Sequence, residues 1–171
     1  IDAGIGNCEV LLVDENPILG GSLNYTRLDA KGVLSQQIRE ELVTEIQANS
    51  NITVMTSAVC NGWFADNWLP VISGNRLYKI RASQTILCTG ALEQPALFHN
   101  NDLPGIVMSS AAQRMIHLYG IKPGTEAVIL TGNNDGYGTV LDLHDAGIKV
   151  QAIVDLRVTP IYDDIAEEAI S

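Results

Sequence analysis

The sequence predicts an α/β fold, and two observations carry the prediction. A nearly continuous aliphatic run, residues 9–13, is followed at once by Asp14. A second run, residues 126–130, leads through a glycine-containing turn and a helical segment to a further run that ends at Asp155. Strands without polar alternation are typical of parallel sheets that helices cover on both faces. The two patterns predict Rossmann-like, FAD/NAD(P)-binding three-layer domains, here incomplete, with a small antiparallel β-meander between them.

The composition excludes some classes of function. Of the 171 residues, 46% are hydrophobic and 18% are charged, which indicates a globular chain with a core. The formal net charge is −10 and the basic residues are scattered, so there is no surplus to neutralise nucleic-acid phosphates. No apolar run approaches the roughly 20 residues of a membrane span, and no signal peptide opens the sequence. We expect neither a nucleic-acid nor a membrane partner.

The cysteines and histidines indicate no catalytic chemistry. Cys8, Cys60 and Cys88 form no Cys-x-x-Cys and lie in or beside apolar runs, which predicts buried, reduced thiols and a cytoplasmic location. The three histidines share no ligand or triad spacing, and we interpret them as structural or surface residues. No Ser, Cys or carboxylate pair has the spacing of a nucleophilic or metal site, so we predict no catalytic residue and no metal.

Asp14 and Glu15 stand where Rossmann proteins bind ribose. A carboxylate at the C-terminal end of a buried parallel strand accepts hydrogen bonds from both ribose hydroxyls. Gly20 and Gly21 follow six residues later and let backbone amides approach a pyrophosphate or a ring. The alternative is a strand followed by an ordinary acidic turn.

A second candidate for cofactor contact is the stretch 85–95. Its apolar, strand-like run ends at Thr89 and Gly90, and Pro95 then prevents a helix or a central strand. Glycine allows the backbone to come very close to a flat or charged group. On these residues alone, a buried strand that ends in an ordinary turn is an equal alternative.

The remaining elements of the first half follow from periodicity. An amphipathic helix is expected over residues 35–49 with Ser35 as its N-cap. A strand over 51–55 is expected to continue to residue 59. Trp63 and Trp68 are expected to pack across strands rather than stack on a ring. The turn residues within 60–84 predict an antiparallel meander of three strands over 59–64, 68–73 and 76–82.

In the second half, Ser109 or Ser110 is expected to cap a helix that runs to Tyr119 and ends at Gly120. A second βαβ-type pattern follows. Its predicted parts are a strand over 126–130, a turn over 131–138, a helix over 139–146 and a strand over 149–154.

The turn of this second pattern departs from the Gly-x-Gly-x-x-Gly fingerprint. Counting from Gly132, Asn134 replaces the second glycine and Tyr137 replaces the third. The second glycine lets the backbone reach the pyrophosphate, and the third lets helix and strand pack closely. Both functions are therefore predicted to be impaired, so this half kept the fold and lost tight dinucleotide binding.

Four motifs, taken in order, resemble the alpha subunit of heterotetrameric sarcosine oxidase and its relatives among amino-acid and opine dehydrogenases and hydrogen cyanide synthase. The shared order of the motifs is more specific than any one of them. The motifs are Val10-Leu11-Leu12-Val13-Asp14-Glu15 with Gly20-Gly21-Ser22-Leu23, Thr89-Gly90-Ala91-Leu92-Glu93-Gln94-Pro95, Asn101-Asp102-Leu103-Pro104-Gly105-Ile106, and Thr131-Gly132-Asn133-Asn134-Asp135.

The resemblance implies a glutathione-reductase-like fold whose first domain holds an adenine nucleotide, NAD or FAD, with ATP in some relatives. It implies a complex in which a secondary amine, a CH–NH donor, is oxidised with hydride transfer to flavin in a beta subunit, and in which FMN lies at the alpha–beta interface. The resemblance also assigns roles by position. Asp14 and Glu15 would hold the ribose, and Gly20, Gly21 and Ser22 would lie near the pyrophosphate. Ala58 and Val59 would offer backbone groups to adenine, and Thr89, Gly90 and Ala91 would close over the nucleotide.

The sequence also departs from that family. A Gly-x-Gly-x-x-Gly should precede residue 9 by one strand and one helix, and neither it nor a folate-related C-terminal domain is present. We expect residues 1–98 to be the C-terminal part of a first dinucleotide-binding domain and residues 99–171 the N-terminal part of a second. Such a fragment is expected to bind NAD or FAD weakly or not at all and to be inactive alone.

Two other interpretations stay open. One is the alpha subunit of an opine, proline or amino-acid dehydrogenase or of a hydrogen-cyanide-synthase-like enzyme. The other is a non-catalytic Rossmann-like module that serves assembly, which the degenerate second turn favours.

Overall fold

A computed structural model describes residues 8–171, which form two compact units. The first unit comprises the described residues up to Gly21 together with Arg39–Gly90. The second comprises Ser22–Ile38 and Ala91–Ser171. The chain thus leaves the first unit after Gly21 and returns to it at Arg39.

The first unit contains a parallel strand pair. Strand β1 (Val10–Val13) pairs with β2 (Ile52–Met55), and helix α1 (Val33–Ala48) lies between them in the chain. Val10 is opposite Ile52 and Val13 is opposite Met55. The predicted strands over 9–13 and 51–55 are confirmed, because two aliphatic runs joined through a helix form a parallel ladder.

An antiparallel meander completes the first unit. Strands β3 (Ala58–Cys60), β4 (Trp68–Ser73) and β5 (Arg76–Arg81) pair in that order, and Val71 at the centre of β4 is fully buried. The meander was predicted, but β2 does not continue into β3. Ser57 breaks the run with a φ of 50°.

The two tryptophans of the meander differ. Trp68 packs against Phe64 across an isolated antiparallel bridge, with ring centroids 5.0 Å apart. Trp63 is exposed, and its indole N–H donates to the Asn67 side chain at 2.9 Å. Cross-strand packing is therefore confirmed for Trp68 and wrong for Trp63.

The second unit is built on a second parallel pair. Strand β6 (Glu126–Thr131) pairs with β7 (Lys149–Asp155), and α3 (Asp135–Asp145) connects them. Helices α2 (Ser109–Tyr119) and α4 (Asp164–Ile170) both contact α3. The buried core residues are Ala112, Ile129, Val140, Leu143 and Ile148.

The predicted βαβ pattern is confirmed, with α3 beginning four residues earlier than expected. Helix α2 ends as predicted, with Gly120 in the left-handed region at φ 63°. Helix α4 was not predicted. Its signal was Asp163, whose carboxylate accepts the Ala166 N–H at 2.9 Å as an N-cap does.

The predicted helix caps are wrong. Helix α1 begins at Val33, and the buried Ser35 hydroxyl instead accepts the Leu28 N–H at 2.9 Å. Met108 occupies the N-cap position of α2 and makes no side-chain cap. The Glu93 carboxylate takes that role, since it accepts the N–H groups of Ser109 at 3.1 Å and Ser110 at 2.8 Å. A carboxylate there also complements the positive end of the helix dipole.

The predicted strand over 85–88 is not formed. Ile86 is 77% exposed and Leu87 is 62% exposed. None of the strands described between residues 8 and 171 pairs with this run, and an isolated strand has no ladder to hold it. Cys88 lies in this run, and Cys8 and Cys60 are exposed as well, so the prediction of buried thiols is wrong.

No helix among the described residues is long and apolar enough to cross a membrane.

Candidate functional site

The end of β1 is joined by backbone hydrogen bonds to the loop after β2. The Asp14 N–H donates to the Met55 carbonyl at 2.9 Å, and the Asp14 carbonyl accepts the Ala58 N–H at 3.0 Å. The Ser57 N–H donates to the Asn16 carbonyl at 2.9 Å. Two predicted site residues, Asp14 and Ala58, are thus held side by side at the carboxyl edge of the parallel pair.

Asn16 fixes the orientation of the Asp14 carboxylate. Its backbone N–H and its side-chain amide both donate to Asp14 Oδ1, at 2.9 and 3.0 Å. Glu15 next to it is exposed. A carboxylate held through one oxygen at the end of a parallel strand is suited to accept ribose hydroxyls with the other.

The glycine pair has the backbone conformation that its predicted role needs. Gly20 has a φ of 119° and Gly21 a φ of 52°, a region that side chains disfavour. A short 3₁₀ turn, Gly21–Asn24, follows. Within it the carbonyl of Ser22 accepts the N–H groups of Tyr25 and Thr26 at 2.9 and 2.8 Å.

The other predicted contacts lie elsewhere. Val59 is exposed on β3, opposite Ile72. Thr89, Gly90 and Ala91 are exposed in the segment after β5 that has no regular secondary structure. Ser22 and Ala91 belong to the second unit, and the other predicted site residues belong to the first. The structure therefore brings Asp14 and Ala58 together, with Glu15 next to Asp14 in the chain, and the roles of all the predicted site residues stay predictions.

The second turn keeps one function that was predicted to be impaired. A Cβ built on Gly136 would lie 2.3 Å from Thr131 Oγ1 and 2.5 Å from Thr131 Cβ. Only glycine permits helix α3 to approach the end of β6 this closely. The close-packing role expected of the third fingerprint glycine is carried by Gly136, one residue before Tyr137, so the prediction that it is impaired is wrong.

The acidic residue at the end of β7 is already bound by the chain itself. Arg157 donates to Asp155 through Nε at 3.0 Å and Nη2 at 2.7 Å, and through its backbone N–H at 2.9 Å. The Tyr137 hydroxyl donates to Asp155 Oδ2 at 3.0 Å. Protein donors thus occupy the carboxylate oxygens of Asp155 that would otherwise accept ribose hydroxyls. This agrees with the interpretation that this half lost tight dinucleotide binding.

These contacts shift both titratable groups. Hydrogen bonds from Arg157 hold the pKa of Asp155 well below its usual range. Burial, together with hydrogen bonds to Tyr162 and Asp155, raises the pKa of Tyr137 to about 12. Tyr137 therefore stays protonated and remains a donor at neutral pH.

Replacing Arg157 by glutamine should lower the stability of the chain at neutral pH and make that stability less sensitive to acid. Because the folded pKa of Asp155 is depressed, Asp155 adds to the free energy of unfolding above its unfolded pKa of about 4, and this addition is lost as pH falls through the folded pKa. In Arg157→Gln the folded pKa of Asp155 rises, so Asp155 adds less to the free energy of unfolding. Urea unfolding should show the variant less stable at about pH 7, with a difference that narrows toward about pH 2. A difference independent of pH would contradict this account.

No pattern in the sequence indicates a cluster of polar and charged side chains in the second unit, which we call the Asp142 cluster: Arg27, Gln113, His117, Asp142 and Asp145. The carboxylate of Asp142, on α3, is fully buried. It accepts Arg27 Nε at 2.5 Å and Gln113 Nε2 at 2.8 Å, and His117 Nε2 lies 2.9 Å from it. His117 is thus structural, as predicted. Arg27 and Asp142 are 115 residues apart in the chain, so no local pattern could link them.

No group of three His, Cys, Asp or Glu side chains suited to a metal ion occurs in the part of the chain that the structure describes.

Comparison with known proteins gives consistent relatives, although no protein-family model matches the sequence. The chain is 32% identical over 174 residues to the alpha subunit of sarcosine oxidase from Rhizobium meliloti strain 1021, which covers 92% of the chain and 17% of that subunit. It is also 32% identical over 181 residues to the alpha subunit from Corynebacterium strain P-1, which covers 92% of the chain and 18% of that subunit. The chain thus spans less than a fifth of the length of these curated relatives.

Solved structures agree with this. The L-proline dehydrogenase of P. horikoshii superposes with a TM-score of 0.73 and 28% identity, over 89% of the chain and 33% of that protein. A NAD-dependent persulfide reductase from A. fulgidus, 16% identical, matches with a TM-score of 0.60 over 95% of the chain and 31% of that protein, and shares the fold. The predicted resemblance and the predicted α/β, Rossmann-like fold class are confirmed.

Proposed function

Since the chain is homologous over 92% of its length to the alpha subunits of sarcosine oxidase, we propose that it is the nucleotide-binding and scaffold portion of such a subunit. The parent enzyme oxidises a secondary amine, and a hydride passes from the carbon beside the nitrogen to a flavin. The chain supplies no catalytic base. A beta subunit carries the amine site, and FMN lies at the interface between the two subunits.

The observation that carries this proposal is the loop system around Asp14. The oriented Asp14 carboxylate and the adjacent backbone of Ala58 offer a ribose acceptor and an adenine partner at neighbouring positions. Gly20 and Gly21, which follow β1, have the positive φ values of a turn that approaches phosphate with its amides. This set suits an adenine nucleotide, and NAD, FAD and ATP share the part that it would hold.

Amide chemical shifts of the labelled chain, titrated with NAD, FAD, ADP and ATP, test the proposal. We expect saturable shifts around Asp14 and Ala58, with dissociation constants weaker than micromolar. Asp14→Asn should weaken binding about tenfold or more, since hydrogen bonds to a charged acceptor are lost. The matched control is Asp66→Asn in the exposed turn before β4, which should bind as the wild type does.

Equal binding by Asp14→Asn and wild type would remove Asp14 from the site. The absence of any nucleotide response by the complete alpha subunit as well would favour the non-catalytic assembly module instead.

A second candidate function is supported by the match to L-proline dehydrogenase, whose TM-score is 0.73. In this case the parent enzyme would oxidise a cyclic secondary amine. The rate of flavin reduction in the complete complex distinguishes the two functions. Sarcosine and L-proline are added separately to samples of one preparation, and the two rates are compared. Faster reduction by L-proline would replace the first substrate assignment and leave the role of this chain unchanged.

A further inference from the structure

We propose that the outward face of the antiparallel meander is a docking surface for an acidic surface of the beta subunit of the parent enzyme. The inference rests on the proposed function, in which this chain is part of an alpha subunit that binds a beta subunit. The residues that form the surface all belong to the first unit. This surface, which we call the meander face, comprises Val59, Trp68, Ile72, Leu77, Lys79 and Arg81.

The pairing of the three strands shows which side chains share the meander face. Successive side chains of a strand point to opposite faces, and residues paired across strands point to the same face. Val71 at the centre of β4 is fully buried, so its neighbour Ile72 points outward. Val59 is opposite Ile72, and Ile72 is opposite Leu77. These three side chains therefore lie side by side on the outward face.

The outward face is apolar where an antiparallel sheet with one buried face normally exposes polar side chains. Val59 is 44% exposed, Ile72 is 40% exposed and Leu77 is 56% exposed. Because the Cβ atoms of paired residues lie about 5 Å apart, the three form one continuous row across all three strands. Trp68 lies on the same face of β4, and the exposed ring of Phe64 packs beside it. A contiguous apolar surface with a charged rim marks a protein interaction site.

The rim of this apolar row is basic. Lys79 and Arg81 follow Leu77 at alternate positions of β5, so they share its face. Residues 67–92 contain no Asp or Glu, although the chain has a formal net charge of −10. Within residues 8–171, Lys79 makes no ion pair, and Arg81 has only Asp66 at 3.6 Å, with both side chains exposed. Such an exposed pair is weak, so both cations are free to meet a partner.

The apolar row and the basic rim together define the chemistry of the partner. It must present an apolar centre, which supplies contact area, and carboxylates beside it, which supply orientation and a fast encounter. A second copy of this chain docked through the same face does not provide that complement, because a two-fold axis would bring two identical basic rims into one interface. The occupant is therefore the beta subunit, with its carboxylates opposite Lys79 and Arg81.

Two substitutions in the complete alpha subunit test the inference by different kinetic signatures. Lys79→Glu should slow association with the beta subunit about tenfold and flatten its dependence on salt, because the steering charge is reversed. Leu77→Ser should instead speed dissociation about tenfold, because apolar contact is lost. Surface plasmon resonance with immobilised beta subunit measures both rates. Both side chains are exposed, and circular dichroism of each variant verifies that it folds.

Lys149→Glu is the matched control, because Lys149 is an exposed lysine on β7 of the second unit. It should leave both rates within about twofold of the wild type. Wild-type rates in both Lys79→Glu and Leu77→Ser would overturn the inference and leave the proposed function intact. If the wild-type alpha subunit does not bind the beta subunit at all, the scaffold part of the proposed function fails and the inference fails with it.

Lysine acetylation read by mass spectrometry identifies what covers the meander face. Lys79 should react in the alpha subunit alone and about tenfold more slowly in the complex, whereas Lys149 should react equally in both. Protection of Lys79 in the alpha subunit alone would mean that other residues of that subunit cover the face. Protection that increases with the concentration of the alpha subunit alone would indicate a second copy. Either of these two results overturns the inference.

Discussion

Replacing Gly136 by alanine should lower the free energy of unfolding of the chain by about 1–3 kcal/mol, the usual cost of overpacking. The added Cβ would lie 2.3 Å from Thr131 Oγ1 and 2.5 Å from Thr131 Cβ. Thr131 cannot simply rotate away, because it is buried and its hydroxyl donates to the Asn133 carbonyl at 2.8 Å. Relief requires α3 to move from the end of β6. Urea unfolding followed by far-ultraviolet circular dichroism measures the loss.

A neighbouring glycine provides the control for this substitution. Gly138 also lies in α3, but a Cβ there would meet only ordinary contacts, Ile165 at 3.9 Å and Arg27 at 4.0 Å. Gly138→Ala should therefore be neutral or stabilising by up to about 1 kcal/mol, the helix propensity gained. Equal destabilisation by the two variants would show that glycine at position 136 is not required by the close approach to Thr131.

The elements that could be predicted are those whose signal is local. The aliphatic runs of β1 and β6 and the helical periodicity between strands predicted both parallel pairs, because each of these signals lies in consecutive residues of the chain. The end of α2 was also predictable, since Gly120 satisfies a local backbone requirement. The same local reasoning placed Asp14 at the end of a strand.

The errors arose where a partner distant in the chain decides the outcome. Serines near helix starts were predicted as caps, but the N–H groups at the start of α2 are taken by Glu93, which lies 16 and 17 residues away from the two serines. The run 85–88 has strand-forming residues but no strand beside it. Counting along the fingerprint missed Gly136, because close approach depends on where Thr131 points rather than on a fixed spacing.

The candidate site shows the same division. Strand-end position marked Asp14, whereas the resemblance to a family, and not the local pattern, indicated Ala58; the structure joins the two by a 3.0 Å backbone bond. The Asp142 cluster had no signal at all. A single sequence does not reveal that a buried aspartate on α3 needs an arginine from the loop before α1.

Replacing Asp142 by alanine should destabilise the chain by about 3 kcal/mol or more, since removing one partner leaves a buried charge uncompensated. Burial lowers the pKa of Arg27, but the hydrogen bonds that Arg27 donates to Asp145 and Asp142 outweigh it and raise the pKa, so the guanidinium stays charged. Without Asp142, Arg27 Nε and Gln113 Nε2 lose the acceptor that they share. Urea unfolding at neutral pH measures the change in the free energy of unfolding.

Asp145→Ala is the matched control, because the Asp145 carboxylate pairs with the same guanidinium as Asp142 does, but the Asp145 side chain is 63% exposed. An exposed ion pair contributes about 1 kcal/mol or less and is weakened by salt. The loss in Asp145→Ala should therefore be small and shrink at high ionic strength, whereas the loss in Asp142→Ala should persist. If the two variants lose equal stability, the buried carboxylate of Asp142 contributes no more to the pairing of Arg27 than the exposed carboxylate of Asp145 does.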